Sequence, residues 1–150
     1  MTYDAQLMKK IGIDIFSGAG GLSLGGAMAG IKVRYAIEVN PHAAKSFELN
    51  HKGAKVICGD IRDVKATDFL NKDEEVFIIM GGPPCQGFSM SNTMSRNMDN
   101  PNNLLFKEFV RLVSEIKPRW FVLENVWGMT KMNNGETIEM IKHCFEEIEP

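Results

Sequence analysis

Short apolar runs recur along the chain with amphipathic stretches between them, and this alternation constrains the fold more than any other feature of the sequence. The runs are Ile11–Phe16 (IGIDIF), Val33–Glu38 (VRYAIE), Ala54–Cys58 (AKVIC), Val76–Met80 (VFIIM) and Trp120–Leu123 (WFVL). Their length and apolarity are those of strands buried on both faces of a parallel sheet. Helical patterns lie between them. One runs from about Leu22 to Ala29 and stops at Gly30. A second, NPHAAKSFELNHKG, has Asn40 as N-cap, Pro41 at the first helical position and Gly53 beyond the end. A third, Asn103 to Lys117, sets Leu105, Phe109, Leu112, Val113 and Ile116 on one face, and Pro118 stops it. The last, about Asn134 to Glu147, carries Ile138, Ile141, Cys144 and Phe145. With no internal repeats, the pattern predicts an α/β fold, a right-handed, doubly wound, mainly parallel Rossmann-like sheet.

The 150 residues suffice for one domain with a proper core and are too few for two. A hydrophobic content of 44% and a charged content of 24% are those of a soluble globular protein. Cys58, Cys85 and Cys144 are odd in number and far apart, which points neither to a disulfide framework nor to a zinc site. The N-terminal MTYDAQLMKKIGID does not resemble a signal peptide, and no apolar run approaches the ~18 residues of a membrane span. A reducing cytoplasm is the expected compartment. The net charge of −2 carries no electrostatic footprint for nucleic acid. If the substrate is nucleic acid, most of the grip comes from elsewhere.

The stretch DIFSGAGGLSLGG follows the first strand and opens the first helix, where doubly wound sheets bind ligands. It has Gly18 and Gly20 but Ser23 where the dinucleotide pattern G-x-G-x-x-G wants glycine, with Gly21 one place early. That argues against a pyrophosphate cradle, and tight packing of turn and helix is an alternative use of these glycines. Glu38, ending the second strand, can accept from both hydroxyls of a ribose. Asp60, in CGDI after the third strand, can accept from an exocyclic amine such as adenine N6. Each acid alone also reads as a solvated strand end or a helix cap; together they outline a nucleoside site. Phe16 is placed to pack on the base or in the core.

At the other end of the expected site, GGPPCQGFS follows the fourth strand and LENVWG follows the fifth. Prolines stiffen the backbone before Cys85, and glycines allow close approach by a ligand. Cys85 is either an inert buried residue or a nucleophile, the latter if its thiolate is favoured. A thiol and the Glu124 carboxyl flanking one pocket suit attack on an electron-poor ring carbon while a ring nitrogen is protonated. Between the two lies Met90–Asn103 (MSNTMSRNMDNPNN), polar and long, which reads as a lid or a plain surface loop.

The ordered set DIFSGAGGLSLG, Glu38, GDI, GGPPCQGFS, NLLFKEFVRLV and ENVWGM resembles the N-terminal catalytic half of the cytosine-C5 DNA methyltransferases, from Ile11 almost to the end of the chain. The resemblance implies a sheet of the S-adenosylmethionine-dependent methyltransferase type. The cofactor, S-adenosylmethionine, would touch Phe16, Gly18, Ala19, Gly20 and Gly21. Glu38 would bind its ribose and Asp60 with Ile61 its adenine, while Gly82, Pro84 and Leu105 line the same pocket. Cys85 would add to C6 of a flipped-out cytosine while Glu124 hydrogen-bonds N3 and the exocyclic amine. Gln86, Ser89, Arg96 and Asn125 would contact the double-stranded DNA around that base, and Met90–Asn103 would match the family's mobile catalytic loop.

Family members continue with a Q-x-R-x-R element, a target-recognition domain, further strands and a returning C-terminal segment. The expectation is therefore a partial catalytic domain over residues 1–150, truncated after about five strands, with WFVL as an apolar edge. Alone it is expected to be nearly inactive, and a complementary C-terminal polypeptide would supply the rest. A restriction–modification or epigenetic system is the expected setting. A tRNA cytosine-C5 methyltransferase fragment and a non-catalytic cofactor-binding subunit are the alternatives. GFS after PCQ favours the DNA-acting members, and the presence of both Cys85 and Glu124 argues against a scaffold.

Overall fold

The computed structural model describes residues 10–84, 105–127 and 135–148. Five strands form one sheet: β1 Ile11–Ile15, β2 Lys32–Glu38, β3 Lys55–Cys58, β4 Ile78–Gly81 and β5 Trp120–Leu123. All pairings are parallel and the order is β3-β2-β1-β4-β5. The order reverses between β1, which continues to β2, and β4, which continues to β5; ligands bind at such a switch point. Among the described residues four α-helices accompany the sheet: α1 Gly21–Met28, α2 Pro41–Asn50, α3 Leu105–Ile116 and α4 Glu136–Glu146. The long step from β3 to β4 runs through two short 3-10 turns, Ile61–Asp63 and Ala66–Asp68, rather than an α-helix.

Strand periodicity divides the core between the two faces of the sheet. Ile13, Ile15, Tyr35, Ile37 and Ile79 join Phe109, Leu112 and Val113 of α3 in one buried cluster, which the 3-10 turns extend with Ile61, Val64 and Phe69. Burial of each large apolar side chain there contributes roughly 1.5–3 kcal/mol. The opposite face carries Gly12, Asp14 and Met80 under α1, whose Gly26 lies against the Met80 side chain. Arg111 pins α3 to the first 3-10 turn, donating through Nη2 to the carbonyls of Ile61 and Val64, both at 2.9 Å.

Helix ends obey the local signals. The Asn40 side chain accepts from the amides of His42 (2.9 Å) and Ala43 (3.2 Å), with Pro41 in the first turn. Lys117 leaves α3 with a φ of 50°, just before Pro118. Burial on both faces holds for β1 and β4 but not for the outer strands. In β5, Trp120, Phe121 and Val122 remain 59%, 42% and 45% exposed, because an edge strand has a neighbour on one side only. Phe121 still stacks on Phe145 of α4, with centroids 4.3 Å apart.

Candidate active site

The carboxyl ends of β1 and β2 converge on the glycine-rich turn. Phe16 leaves β1 with a φ of 59°, a left-handed conformation that costs a non-glycine residue roughly 1–2 kcal/mol. Its ring, half-buried, packs against the core cluster. The Ser17 amide donates to the Ile37 carbonyl (3.1 Å) and the Gly20 amide to the Ser17 carbonyl (2.9 Å), closing the turn beside β2. Glu38 then locks it. One carboxylate oxygen accepts from the Gly18 amide at 2.7 Å, the other from the Asn40 amide at 2.8 Å. A carboxylate offers about four acceptor positions, so two remain for a ligand's hydroxyls.

Asp14 is a site residue that the sequence reading missed. It is wholly buried in the central strand, and its Oδ2 accepts from the Ser23 amide (3.1 Å) and hydroxyl (2.6 Å). The serine standing where a dinucleotide turn wants glycine is thus the bolt between β1 and α1. The signal was present: an acid inside IGIDIF cannot be buried without a partner. Burial, only partly offset by the two Ser23 bonds, raises its pKa to about 6, and the nearby Glu38 charge pushes the same way.

The raised value fixes the sign of a pH effect. In the unfolded chain the carboxyl ionises near 3.8, so between about 4 and 6 the folded state holds the extra proton and this group's stability contribution falls as pH rises. Asp14→Asn removes that titration. Urea unfolding should therefore show wild type losing roughly 2–3 kcal/mol relative to Asp14→Asn from pH 4 to 7, then no further change. A constant difference across that range would contradict the assignment.

Asp60 takes up the cap position that was one reading of this acid. It caps the first 3-10 turn through the Arg62 amide (3.0 Å), and its carboxylate is gripped by the Arg62 guanidinium through Nε (2.9 Å) and Nη2. Those bonds hold its pKa down to about 2, so it is an ionised acceptor throughout the physiological range. An exocyclic amine bound there shares the carboxylate with Arg62. Ile61, next in the chain, is buried in the core cluster.

At the ends of β4 and β5 the second half of the site comes together. The Glu124 amide donates to the Gly81 carbonyl (2.9 Å), extending the β4–β5 pairing by one residue. A Cβ at Gly82 would lie 2.7 Å from Glu124 Oε2, so glycine there is what lets the carboxylate approach the GGPP backbone. Asn125 Nδ2 donates to the Pro83 carbonyl (3.0 Å), tying the two strand exits together. Asn125 is thus placed as a brace on this turn. Pro84 is exposed and Leu105, opening α3, is half-buried against the core. Cys85, Gln86, Ser89, Arg96 and the predicted lid Met90–Asn103 lie outside the described residues.

The turn suits a nucleoside better than a pyrophosphate. Ser17 Oγ is buried with no hydrogen-bond partner among the described residues, a polar atom beside the turn. A Cβ built on Gly18 or Gly21 would meet nothing within 4 Å, so the backbone there is open to a bound group. Among the described residues no lysine or arginine is bonded to the turn; its charged member is the Glu38 carboxylate, which selects hydroxyl donors and repels phosphate. A cleft of about 690 Å³ lies at the opposite, amino edge of the strands, among Lys10, Arg34, Glu74 and Arg119. Its Glu74 is paired with Arg34 and accepts from the Tyr35 hydroxyl (2.7 Å), a bolt between β2 and the segment before β4.

This arrangement agrees with the similarity of the chain to known proteins. A family model described as C-5 cytosine-specific DNA methylase matches residues 11–149. The chain belongs to that family. S-adenosylmethionine is the cofactor of these methyltransferases. A type II methyltransferase of Haemophilus parahaemolyticus, M1.HphI, is 40% identical over 139 residues, which are 91% of this chain and 37% of the relative. M.AquIA, a type II methyltransferase of a Picosynechococcus strain, is 38% identical over 138 residues, 89% of this chain and 55% of the relative. The chain thus spans about a third to a half of these relatives' lengths. Among solved structures, a prophage-encoded E. coli protein described as a DNA modification methyltransferase superposes with a TM-score of 0.76 at 35% identity. That match covers 91% of this chain and 37% of that one. The S. pombe Dnmt2 methyltransferase shares the fold, with a TM-score of 0.61 at 23% identity. Among the described residues no helix is long and apolar enough to cross a membrane.

Proposed function

We propose that this chain carries the catalytic half of a DNA cytosine-C5 methyltransferase, acting in the cytoplasm of a bacterial-type cell. One observation carries the reading. The strand order brings the glycine turn with Glu38, at β1 and β2, to the same sheet edge as Gly82 and Glu124, at β4 and β5, and Cys85 follows Pro84 directly. Phe16 and Gly18 to Gly21, with Glu38, Asp60 and Ile61, are assigned to the nucleoside of S-adenosylmethionine, and Gly82, Pro84 and Leu105 to its remaining wall. When bound, the cofactor supplies an electrophilic methyl group.

The chain's own residues prepare the acceptor. Cytosine C5 is a weak nucleophile until C6 gains an electron pair. The Cys85 thiolate forms a bond to C6, and the displaced C5–C6 π electrons move through the ring toward N3. Glu124, hydrogen-bonded at N3 and the exocyclic amine, shares a proton there and holds that charge. C5, now enamine-like, takes the methyl group. Loss of the C5 proton to a base restores the double bond and expels the thiolate. The base must leave the stack first, because stacking hides C6. Gln86, Ser89, Arg96 and Asn125 are assigned to the strand around the extruded nucleotide.

Target choice is assigned to sequence that the longer relatives carry outside the matched region, supplied to this chain by a complementary polypeptide. The acidic balance of the 150 residues supports that division of labour. A mechanism-based trap tests the reading. A DNA duplex containing 5-fluorocytosine, incubated with this chain, S-adenosylmethionine and the complementary segment of a relative, should give a covalent adduct stable to denaturation, since fluorine at C5 blocks the final elimination. An adduct with fluorocytosine RNA and none with DNA would overturn the DNA assignment. Adduct formation by the 150 residues alone would overturn the need for a complement.

A further inference from the structure

The glycine turn is held from behind by the end of α2, through residues to which the methyl-transfer reading gives no role. His51 Nε2 lies 2.9 Å from the Gly20 carbonyl oxygen, and Asn50 Nδ2 donates to the Ala19 carbonyl at 3.3 Å. A carbonyl only accepts, so Nε2 carries the proton. The imidazole is itself fixed, packed against the buried Phe47 ring with centroids 4.5 Å apart. Gly20 has a φ of 97°, and a Cβ there would collide with the His51 ring, so turn and imidazole fit only because this residue is glycine.

We infer that His51, with Asn50, is a positioning residue for cofactor binding. In a planar trans peptide the N–H points opposite to the preceding C=O. Binding the Gly20 carbonyl to α2 therefore turns the Gly21 amide away from α2, on a residue whose Cβ position is open. The Gly20 carbonyl also accepts the first α1 bond, from the Leu24 amide at 2.9 Å, so the same contact sets where α1 begins. Fixing these peptide planes before the ligand arrives lowers the ordering cost of binding. The inference rests on the assignment of this turn to S-adenosylmethionine.

Two measurements on the 150-residue chain separate the inference from that assignment. Hydrogen exchange reads the amides of residues 18–22 without ligand, and calorimetry reads S-adenosylhomocysteine affinity. His51→Ala should speed exchange across the turn and weaken binding about tenfold, the scale of losing an outer-shell support. His51→Gln, which keeps an N–H donor, should recover most of both, and Asn50→Ala should show a smaller change of the same kind. Faster exchange with unchanged affinity would make the contact merely structural and overturn the inference, as would unchanged exchange in His51→Ala. Glu38→Ala is the control for the assignment. If it binds as wild type does, or if wild type does not bind, the site reading fails first and the inference falls with it.

Discussion

Cys85→Ser is expected to abolish the covalent adduct with 5-fluorocytosine DNA, and with it methyl transfer in the complemented enzyme. A serine hydroxyl is far less acidic than a thiol and a poorer nucleophile toward a soft, electron-poor ring carbon, so the first bond does not form. The expected loss in turnover is on the order of a thousandfold or more. Glu124→Gln behaves differently. The amide keeps the size of the side chain and can still bond to the base, but it cannot share a proton at N3. Addition slows by roughly 100-fold or more while the adduct, once formed, stays covalent. Rapid quench of adduct formation on a fluorocytosine duplex distinguishes the two. Adduct formation by Cys85→Ser at a rate within tenfold of wild type would remove the thiol from the mechanism. A Glu124→Gln rate equal to wild type would leave the carboxyl a structural role only.

Gly81→Ala is expected to be the most damaging small change to the fold. A Cβ at this position would run into the Ile15 carbonyl oxygen and the Ile15 side chain, on the neighbouring central strand. Neither can move without disturbing the β1–β4 ladder, in which Ile15 pairs with Gly81 itself. The loss should be about 3 kcal/mol, the upper range for overpacking a closed site. Gly82→Ala, one residue on, offers the contrast. Its Cβ would meet the Glu124 carboxylate at 2.7 Å, the end of a side chain that can swing aside. Stability should change by less than about 1 kcal/mol, while the displaced carboxylate slows adduct formation. The urea midpoint should therefore fall clearly for Gly81→Ala and barely move for Gly82→Ala, whose trapping rate falls instead. Equal destabilisation of both would mean that the Glu124 side chain is as rigid as the strand.

Much of this protein could be read without coordinates. All five apolar runs are strands at nearly their expected bounds, because short apolar runs set between helical patterns favour strands whether or not they end up buried. Asn40, Pro41 and Gly53 bounded α2 through local backbone rules that involve no distant partner. The runs did not disclose their neighbours. WFVL is as apolar as VFIIM, yet β5 is exposed where β4 is buried, since apolarity records a preference and not which strand lies alongside. The crossover from β3 to β4 was equally opaque. Its first 3-10 turn is held by Arg111 and its second by Glu115, both about fifty residues further along the chain.

The candidate site divides in the same way. Sequence by itself determined the chemistry on offer: a thiol in GGPPCQGFS, a carboxyl in ENV, a glycine turn and an acid at the end of the second strand, in an order that identifies the family. Tertiary structure decided what each group is bonded to. It gave Asp14 to Ser23 across nine residues, the Gly20 carbonyl to His51 across 31, and the Pro83 carbonyl to Asn125 across 42. It also tied Glu38 to Gly18 across 20 residues. The physical reason is one of range. Strand and helix preferences act over a few residues and are written locally, whereas a hydrogen bond between distant segments depends on strand order and register, which only the folded sheet sets.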